Sequence, residues 1–172
     1  MKVILYMAES VNGIIARNDN STHWSNPELE AYIEMVKECG NLIIGRRTYE
    51  IMQKDTDKDA DAGNLGNPTI IVLSKKGGYK NSDKQIFVKS PEEALNVLKK
   101  KGFKKAMVAG GSETDSAFLK EKLINEIYLD IEPLIIGGGI PLFSPFDYEC
   151  HLQLLNIKKI DNNTVQLHYK MK

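Results

Sequence analysis

Two glycine turns carry the residues in this chain best suited to chemistry. Gly110-Gly111-Ser112-Glu113-Thr114 follows the apolar run Ala106 to Ala109, and Gly45-Arg46-Arg47-Thr48 follows Asn41 to Ile44. A glycine turn at the carboxyl end of a strand, opening a helix, lets backbone N–H groups approach a phosphate, and the helix start adds partial positive charge. Arginine pairs bidentately with phosphate. Two arginines in a first helical turn oppose the helix dipole unless an anion lies there. Ser74-Lys75 ends a third apolar run, Thr69 to Leu73. The set points to an anionic ligand, a phosphorylated cofactor first of all. Glu9, His23, Glu28 and Glu30 are the candidates for giving up a proton. None stands out from its neighbours, so no catalytic acid is assigned, and a bound water is the alternative donor.

The elements that must position these residues can be read along the chain. Lys2 to Met7 is a strand; Gly13 breaks the pattern and Ile14 to Ala16 resumes it. Ser25-Asn26-Pro27-Glu28 is a helix start, with a capping residue, proline at the first position and an acid. Leu29, Ile33 and Val36 follow at helical spacing, and Gly40 ends the helix. Asn41 to Ile44 is a buried strand, and the helix after Gly45 carries Tyr49 and Met52 inward. Residues 54–67 are acidic and polar and read as a mobile loop, since they lack the spacing and closing glutamate of a calcium loop. Gln85 to Val88 is a strand, and Ser90-Pro91-Glu92-Glu93 a second capped helix start. Ile124 to Ile136 is a further apolar run ending in Gly137-Gly138-Gly139, for which a structural role is expected: a bulged turn or a dimer contact. Cys150 to Lys159 and Val165 to Tyr169, joined at Asp161-Asn162-Asn163, form an antiparallel hairpin. Strands alternating with helices, closed by a hairpin, predict one three-layer α/β domain over 1–172, with a mostly parallel sheet and an antiparallel C-terminal edge.

Composition excludes several classes. The 172 residues are 42% hydrophobic and 27% charged, and 23 basic residues balance 23 acidic ones. A nucleic-acid protein is expected to be basic. No apolar run reaches the ~20 residues of a membrane span, and the N-terminus lacks the features of a secretory signal. Cys39 and Cys150 have no metal-ligand spacing and are expected as buried thiols in a cytoplasmic protein. No metal site is expected.

Four segments, in order, resemble the dihydrofolate reductase-like superfamily, and within it the reductase domain of the bifunctional riboflavin-biosynthesis deaminase-reductase. They are Met7 to Ala16 (MAESVNGIIA), Leu42 to Tyr49 (LIIGRRTY), Val108-Ala109-Gly110-Gly111, and Ile127 to Phe143 with its Gly-Gly-Gly-Ile-Pro-Leu-Phe ending. Thr22-His23-Trp24-Ser25-Asn26-Pro27 is similar to a further segment of that branch. The resemblance implies a dihydrofolate reductase-like fold and an NADPH-dependent reductase acting on a phosphorylated aminouracil or a related pyrimidine or pteridine. It places the nicotinamide against the backbone of Ala8 and Ile15. The phosphates fall to Gly45, Arg46, Arg47, Thr48, Ser74, Lys75 and Gly110 through Thr114, with Ser74 and Lys75 at the 2′-phosphate. Asn12 and Trp24 fall on the substrate side. Relatives of this domain are often dimers, so a homodimer is expected.

The sequence also departs from the pattern. Asn12 stands where the family has aspartate, and Glu28, Leu29 and Glu30 replace the arginines that hold a substrate phosphate. The carboxylate that folate enzymes carry on the first helix aligns with Leu29. Glu28 and Glu30 lie about 100° to either side, and neither is expected to enter the pocket without a shift of the helix. Dihydrofolate reduction therefore ranks second. A non-catalytic nucleotide-binding module is the alternative outside enzymes.

Overall fold

The computed structural model describes residues 1–22, 24–55 and 65–172. Residues 56–64, most of the acidic stretch expected as a mobile loop, lie outside the described residues, as does His23. In chain order the elements are β1 (Lys2–Ser10), β2 (Ile14–Arg17), α1 (Asn26–Cys39), β3 (Asn41–Gly45), α2 (Arg46–Asp55), β4 (Thr69–Leu73), β5 (Gln85–Val88) and α3 (Pro91–Lys100). They continue with β6 (Lys105–Val108), α4 (Ser112–Lys120), β7 (Glu126–Glu132), β8 (Gly139–Pro141), β9 (Leu152–Lys159) and β10 (Val165–Met171).

One sheet of eight strands runs through the molecule in the order β5-β4-β3-β6-β1-β7-β10-β9. The pairs from β5 to β7 are parallel, and β10 pairs antiparallel with both β7 and β9. The central strands are apolar on both faces, as a sheet covered on both sides requires. Ile4, Tyr6, Leu42 and Ile44 pack with Ile33 and Val36 of α1 on one side. Val3, Leu5 and Ile43 pack with Leu95 and Leu98 of α3 and with Phe118 of α4 on the other. The mixed sheet and the C-terminal hairpin match the architecture expected from the sequence.

Three local features differ from expectation or refine it. Gly139 opens β8, which pairs antiparallel with β2 in a separate two-stranded sheet. A side chain at Gly139 would run into the Ala16 carbonyl and the Ile14 side chain, so this glycine is there to let two backbones meet. Leu65, at the end of the stretch read as solvated loop, is buried against the α1 side of the core. Cys39 is buried as expected, but Cys150 is exposed, because it precedes an edge strand whose eight residues are all exposed. Among the described residues, no helix is long and apolar enough to cross a membrane.

Candidate active site

A cleft of about 1540 Å³ opens at the carboxyl ends of the parallel strands. In open α/β sheets, ligands bind in this position because strand ends deliver loops and helix starts to one place. At one end stand the Gly45 and Gly110 turns, Ser74 with Lys75 and Lys76, and the start of α3; at the other stand Trp24, Glu28, Leu29 and Tyr32. Ala8 and Ile15 line the cleft between them.

The glycine end is built by close backbone approach. The N–H of Gly45 donates to the Gly110 carbonyl at 2.8 Å, and a Cβ on Gly45 would come within 2.6 Å of Thr114 Oγ1. Gly110 has φ +88° and is joined to Gly111 by a cis peptide bond. Only glycine adopts that φ without strain. Gly111 is the N-cap of α4 and supplies no side-chain hydrogen bond to the helix. By contrast, Ser25 and Ser90 cap α1 and α3 with their hydroxyls. The α4 start therefore offers its first N–H groups to the cleft, with the partial positive charge of a helix N-terminus. Asp115, which the sequence did not bring to notice, supports this turn from below: it is fully buried and its Oδ1 accepts from Gly110 N–H at 3.1 Å. Its Oδ2 is buried without a partner among the described residues. Burial holds its carboxyl well above the usual range despite the Gly110 bond.

The cations around this end are unequally committed. Arg46 Nη1 donates to both Glu50 oxygens, at 2.9 and 3.0 Å, and the Tyr79 hydroxyl donates to Glu50 at 2.7 Å. Arg47 is exposed, with Glu113 3.7 Å away. Ser74 Oγ is used within its own turn, donating to the Lys76 carbonyl and accepting from Lys76 N–H. Lys75 and Lys76 have no ion pair among the described residues and line the cleft. Ile15 stands at the register shift of β2, between Ile14 and Ala16. A bulged residue is left out of the ladder, which suits a backbone contact with a ligand.

The other end of the cleft corrects the sequence reading. Glu28 was expected to point away from the pocket, yet it is only 3% exposed and lines the cleft beside Leu29. The buried face of α1 is wide enough to include both, running through Glu28, Ile33, Val36 and Cys39; a 100° step from Leu29 remains inside an apolar stripe of that width. Glu30, the other neighbour, is exposed and does not line the cleft. Asn12, expected on the substrate side, is not among the lining residues either. Its side chain clips the backbone of Ile136, donating to the carbonyl at 2.8 Å and accepting from N–H at 3.1 Å. Both polar ends of the amide are thus spent on holding the loop after β7.

Beneath Glu28 lies a group of polar side chains that no sequence motif announced. Asp130 and Glu132, two residues apart on β7 and so on one face, are 0% and 5% exposed. The Tyr6 hydroxyl donates to Asp130 Oδ2, and Gln166 Nε2 to Oδ1 at 2.9 Å. Ser25 Oγ donates to Glu132 at 2.8 Å. The Glu28 carboxyl has no hydrogen-bond partner among the described residues. Burial, then the charges of Asp130 and Glu132, push its carboxyl up to about 8. Burial raises Asp130 to about 6, against the opposing hydrogen bonds from Tyr6 and Gln166.

Comparison with known proteins settles the kinship. The family pattern described as the RibD C-terminal domain matches residues 1–166. The chain belongs to this family. The uncharacterized protein YwjB of Bacillus subtilis (strain 168) is 30% identical over 174 residues, covering 98% of this chain and 97% of that one. YyaP of the same organism is 24% identical over 177 residues, covering 98% and 94%. A pyrimidine reductase-like protein of Corynebacterium diphtheriae superposes with a TM-score of 0.77 at 15% identity, over 99% of this chain and 92% of that one. Dihydrofolate reductase of Enterococcus faecalis, complexed with NADP(H) and RAB-propyl, superposes with a TM-score of 0.74 at 18% identity, over 99% and 96%. The fold is that of the dihydrofolate reductase-like proteins.

Proposed function

We propose that this RibD C-terminal domain protein is an NADPH-dependent reductase that transfers hydride to a pyrimidine- or pteridine-like small molecule, as the riboflavin-precursor reductases it resembles do. The observation that carries this reading is the division of one cleft into an open helix start with unpaired lysines and a buried carboxyl end. The glycine end fits a dinucleotide phosphate: backbone comes close at Gly45 and Gly110, and α4 has no side-chain cap of its own. Gly110 to Thr114 would hold the pyrophosphate, Thr48, Arg47 and Lys75 the remaining phosphate charge, and Ala8 and Ile15 the nicotinamide. Bound there, the nicotinamide would supply the hydride; the protein would supply position and the exclusion of water. A cytoplasmic setting, where both cysteines stay reduced, fits this activity.

A folate-type substrate deserves a second reading on one specific ground. The resemblance to folate enzymes calls for a carboxyl on the first helix, and Glu28 provides one in the cleft. The test is a fluorescence titration with NADPH, followed by absorbance at 340 nm with a panel of phosphorylated aminouracils and dihydropteridines. Oxidation with a member of the panel is expected. Absence of NADPH binding would overturn the reading, and binding without any oxidation would favour a nucleotide-binding module.

We also propose that the partner is a second copy of the chain. Leu152, Leu154 and Ile157 of edge strand β9 are 37%, 47% and 58% exposed. They pair across with Met171, Tyr169 and Leu167 of β10 and so share one sheet face. An apolar face of this kind is self-complementary in a two-fold dimer. Sedimentation equilibrium should show a dimer that Ile157→Lys dissociates; a monomeric wild type would refute it.

A further inference from the structure

We infer that burial beside Asp130 and Glu132 holds Glu28 in its neutral, hydrogen-donating form in the cleft, so that the site takes a heterocycle presenting an acceptor atom there rather than a cationic or phosphate group. This rests on reading the cleft as the substrate site of a reductase.

Three carboxyls are buried together, and they differ in what satisfies them. Asp130 receives Tyr6 and Gln166, and Glu132 receives Ser25, with Thr164 Oγ1 at 3.5 Å. Hydrogen bonds donated to a carboxylate favour its charged form. Glu28 receives none among the described residues, although it is almost wholly buried. Of the three, Glu28 alone lacks a donor to its carboxyl, so it is the one on which a proton is least opposed.

The groups facing Glu28 from each packed element agree with this. Asp130 and Glu132 act on it from β7, Tyr6 lies near it from β1, and Tyr32 lies one turn along its own helix. Both phenols are held neutral, their titration pushed upward by burial. Lys158, on β9, acts on Asp130; among the described residues no cation offsets the two acids at Glu28. A neutral carboxyl presents one O–H donor and further acceptor capacity. A ring nitrogen or carbonyl oxygen meets that donor, whereas a phosphate would face the charges of Asp130 and Glu132.

Carbon-13 NMR of glutamate-labelled protein, with no cofactor or substrate added, tests the inference. Glu28→Gln identifies the resonance. A midpoint near 8 is expected in the wild type, falling by about one unit or more in Asp130→Asn and further in Asp130→Asn/Glu132→Gln. A wild-type midpoint in the ordinary carboxylate range, or one unmoved by the double substitution, overturns the inference. The second arm is binding of 5-aminouracil between pH 6.5 and 9. Affinity should fall about tenfold in the wild type and stay level in Glu28→Gln, whose amide remains a donor. Equal pH dependence in both proteins overturns the choice of an acceptor-bearing ring. If both arms succeed and NADPH is never oxidised, the reductase reading fails alone.

Discussion

The two ends of the cleft are made from opposite materials. The glycine end is mostly backbone: Gly45, Gly110 and Gly111 bring main chain together, and the α4 start is left without a cap. The acid end is mostly side chain: Glu28, Asp130 and Glu132 come from segments about a hundred residues apart, with Tyr6 and Gln166 donating to Asp130 and Ser25 to Glu132. Backbone groups keep the same hydrogen-bonding capacity at any pH. Buried carboxyls do not, so the acid end is where pH should govern both stability and ligand choice.

This difference also explains what could be read from the sequence. A backbone cradle needs glycines at consecutive positions, and those stand as a word in the chain; the α/β order of strands and the Ser-Pro helix starts were legible for the same reason. The acid end has no word. Glu28 looked misplaced because a fixed register puts Leu29 at the expected acid position, whereas the buried face of α1 is wide enough for both. Asp130 lay inside an apolar strand with nothing to mark it, and its partners Tyr6 and Gln166 are 124 and 36 residues away. Asn12 misled in the other direction: its motif position was read as a ligand contact, while its amide is consumed by Ile136. The alternation of Asp130 and Glu132 on one face of β7, which also begins with Glu126, is the weak signal the strand offers.

The largest expected effect falls on the glycine end. Gly111 has ordinary negative φ, and a Cβ there meets only Thr48 Oγ1 at 3.6 Å, so Gly111→Asp should fold. It would set a carboxylate against the phosphates, and like-charge juxtaposition costs several kcal/mol. NADPH affinity should drop on the order of 100-fold or more by fluorescence titration, with the circular dichroism spectrum unchanged. Unchanged affinity would show the cradle to be elsewhere.

Next in size is the acid end. In the unfolded chain Glu28 titrates near 4.5 and in the folded protein near 8. Between these values the folded state binds the extra proton, so this contribution to stability is present at low pH and is lost as pH rises through the window. This is opposite to the behaviour of a salt-bridged carboxylate. Glu28→Gln should match the wild type near pH 4.5 and exceed it at pH 8, by on the order of 1–2 kcal/mol, or roughly 2–8 °C in Tm. A variant less stable than wild type at pH 8 would mean that the folded protein stabilises the Glu28 carboxylate rather than its neutral form.

A smaller effect joins the helix cap to the acids. Ser25 Oγ accepts from Glu28 N–H at 3.4 Å and donates to Glu132 at 2.8 Å. Ser25→Ala removes a cap, worth about 1 kcal/mol, and also the principal donor to Glu132. Ser90→Ala at the start of α3 loses a cap, the bond from Glu93 N–H, and no hydrogen bond to a buried carboxyl. Both should lower Tm by a few degrees, but only Ser25→Ala should change the pH dependence of stability. Equal pH dependence in the two variants would separate the cap from the acid cluster.

The smallest effect returns to the glycine end, where the Arg46 charge is already spent on Glu50. Arg46 is held by Glu50, which also takes the Tyr79 hydroxyl; these hydrogen bonds hold the Glu50 carboxyl below its usual range and Arg46 above its own. The guanidinium therefore faces the cleft with its charge already matched, and both partners are solvent-screened, where ion pairs are weak. Glu50→Gln should free Arg46 toward the phosphates and tighten NADPH by about two- to fivefold at low salt, with the gain fading as ionic strength shortens the screening length. A gain of 100-fold would mean that this end of the cleft depends on arginine charge as heavily as the other depends on its carboxyls. A twofold gain that vanishes in 0.5 M salt, roughly a 4 Å screening length, would leave the division standing: backbone for the cofactor, buried acids for the substrate.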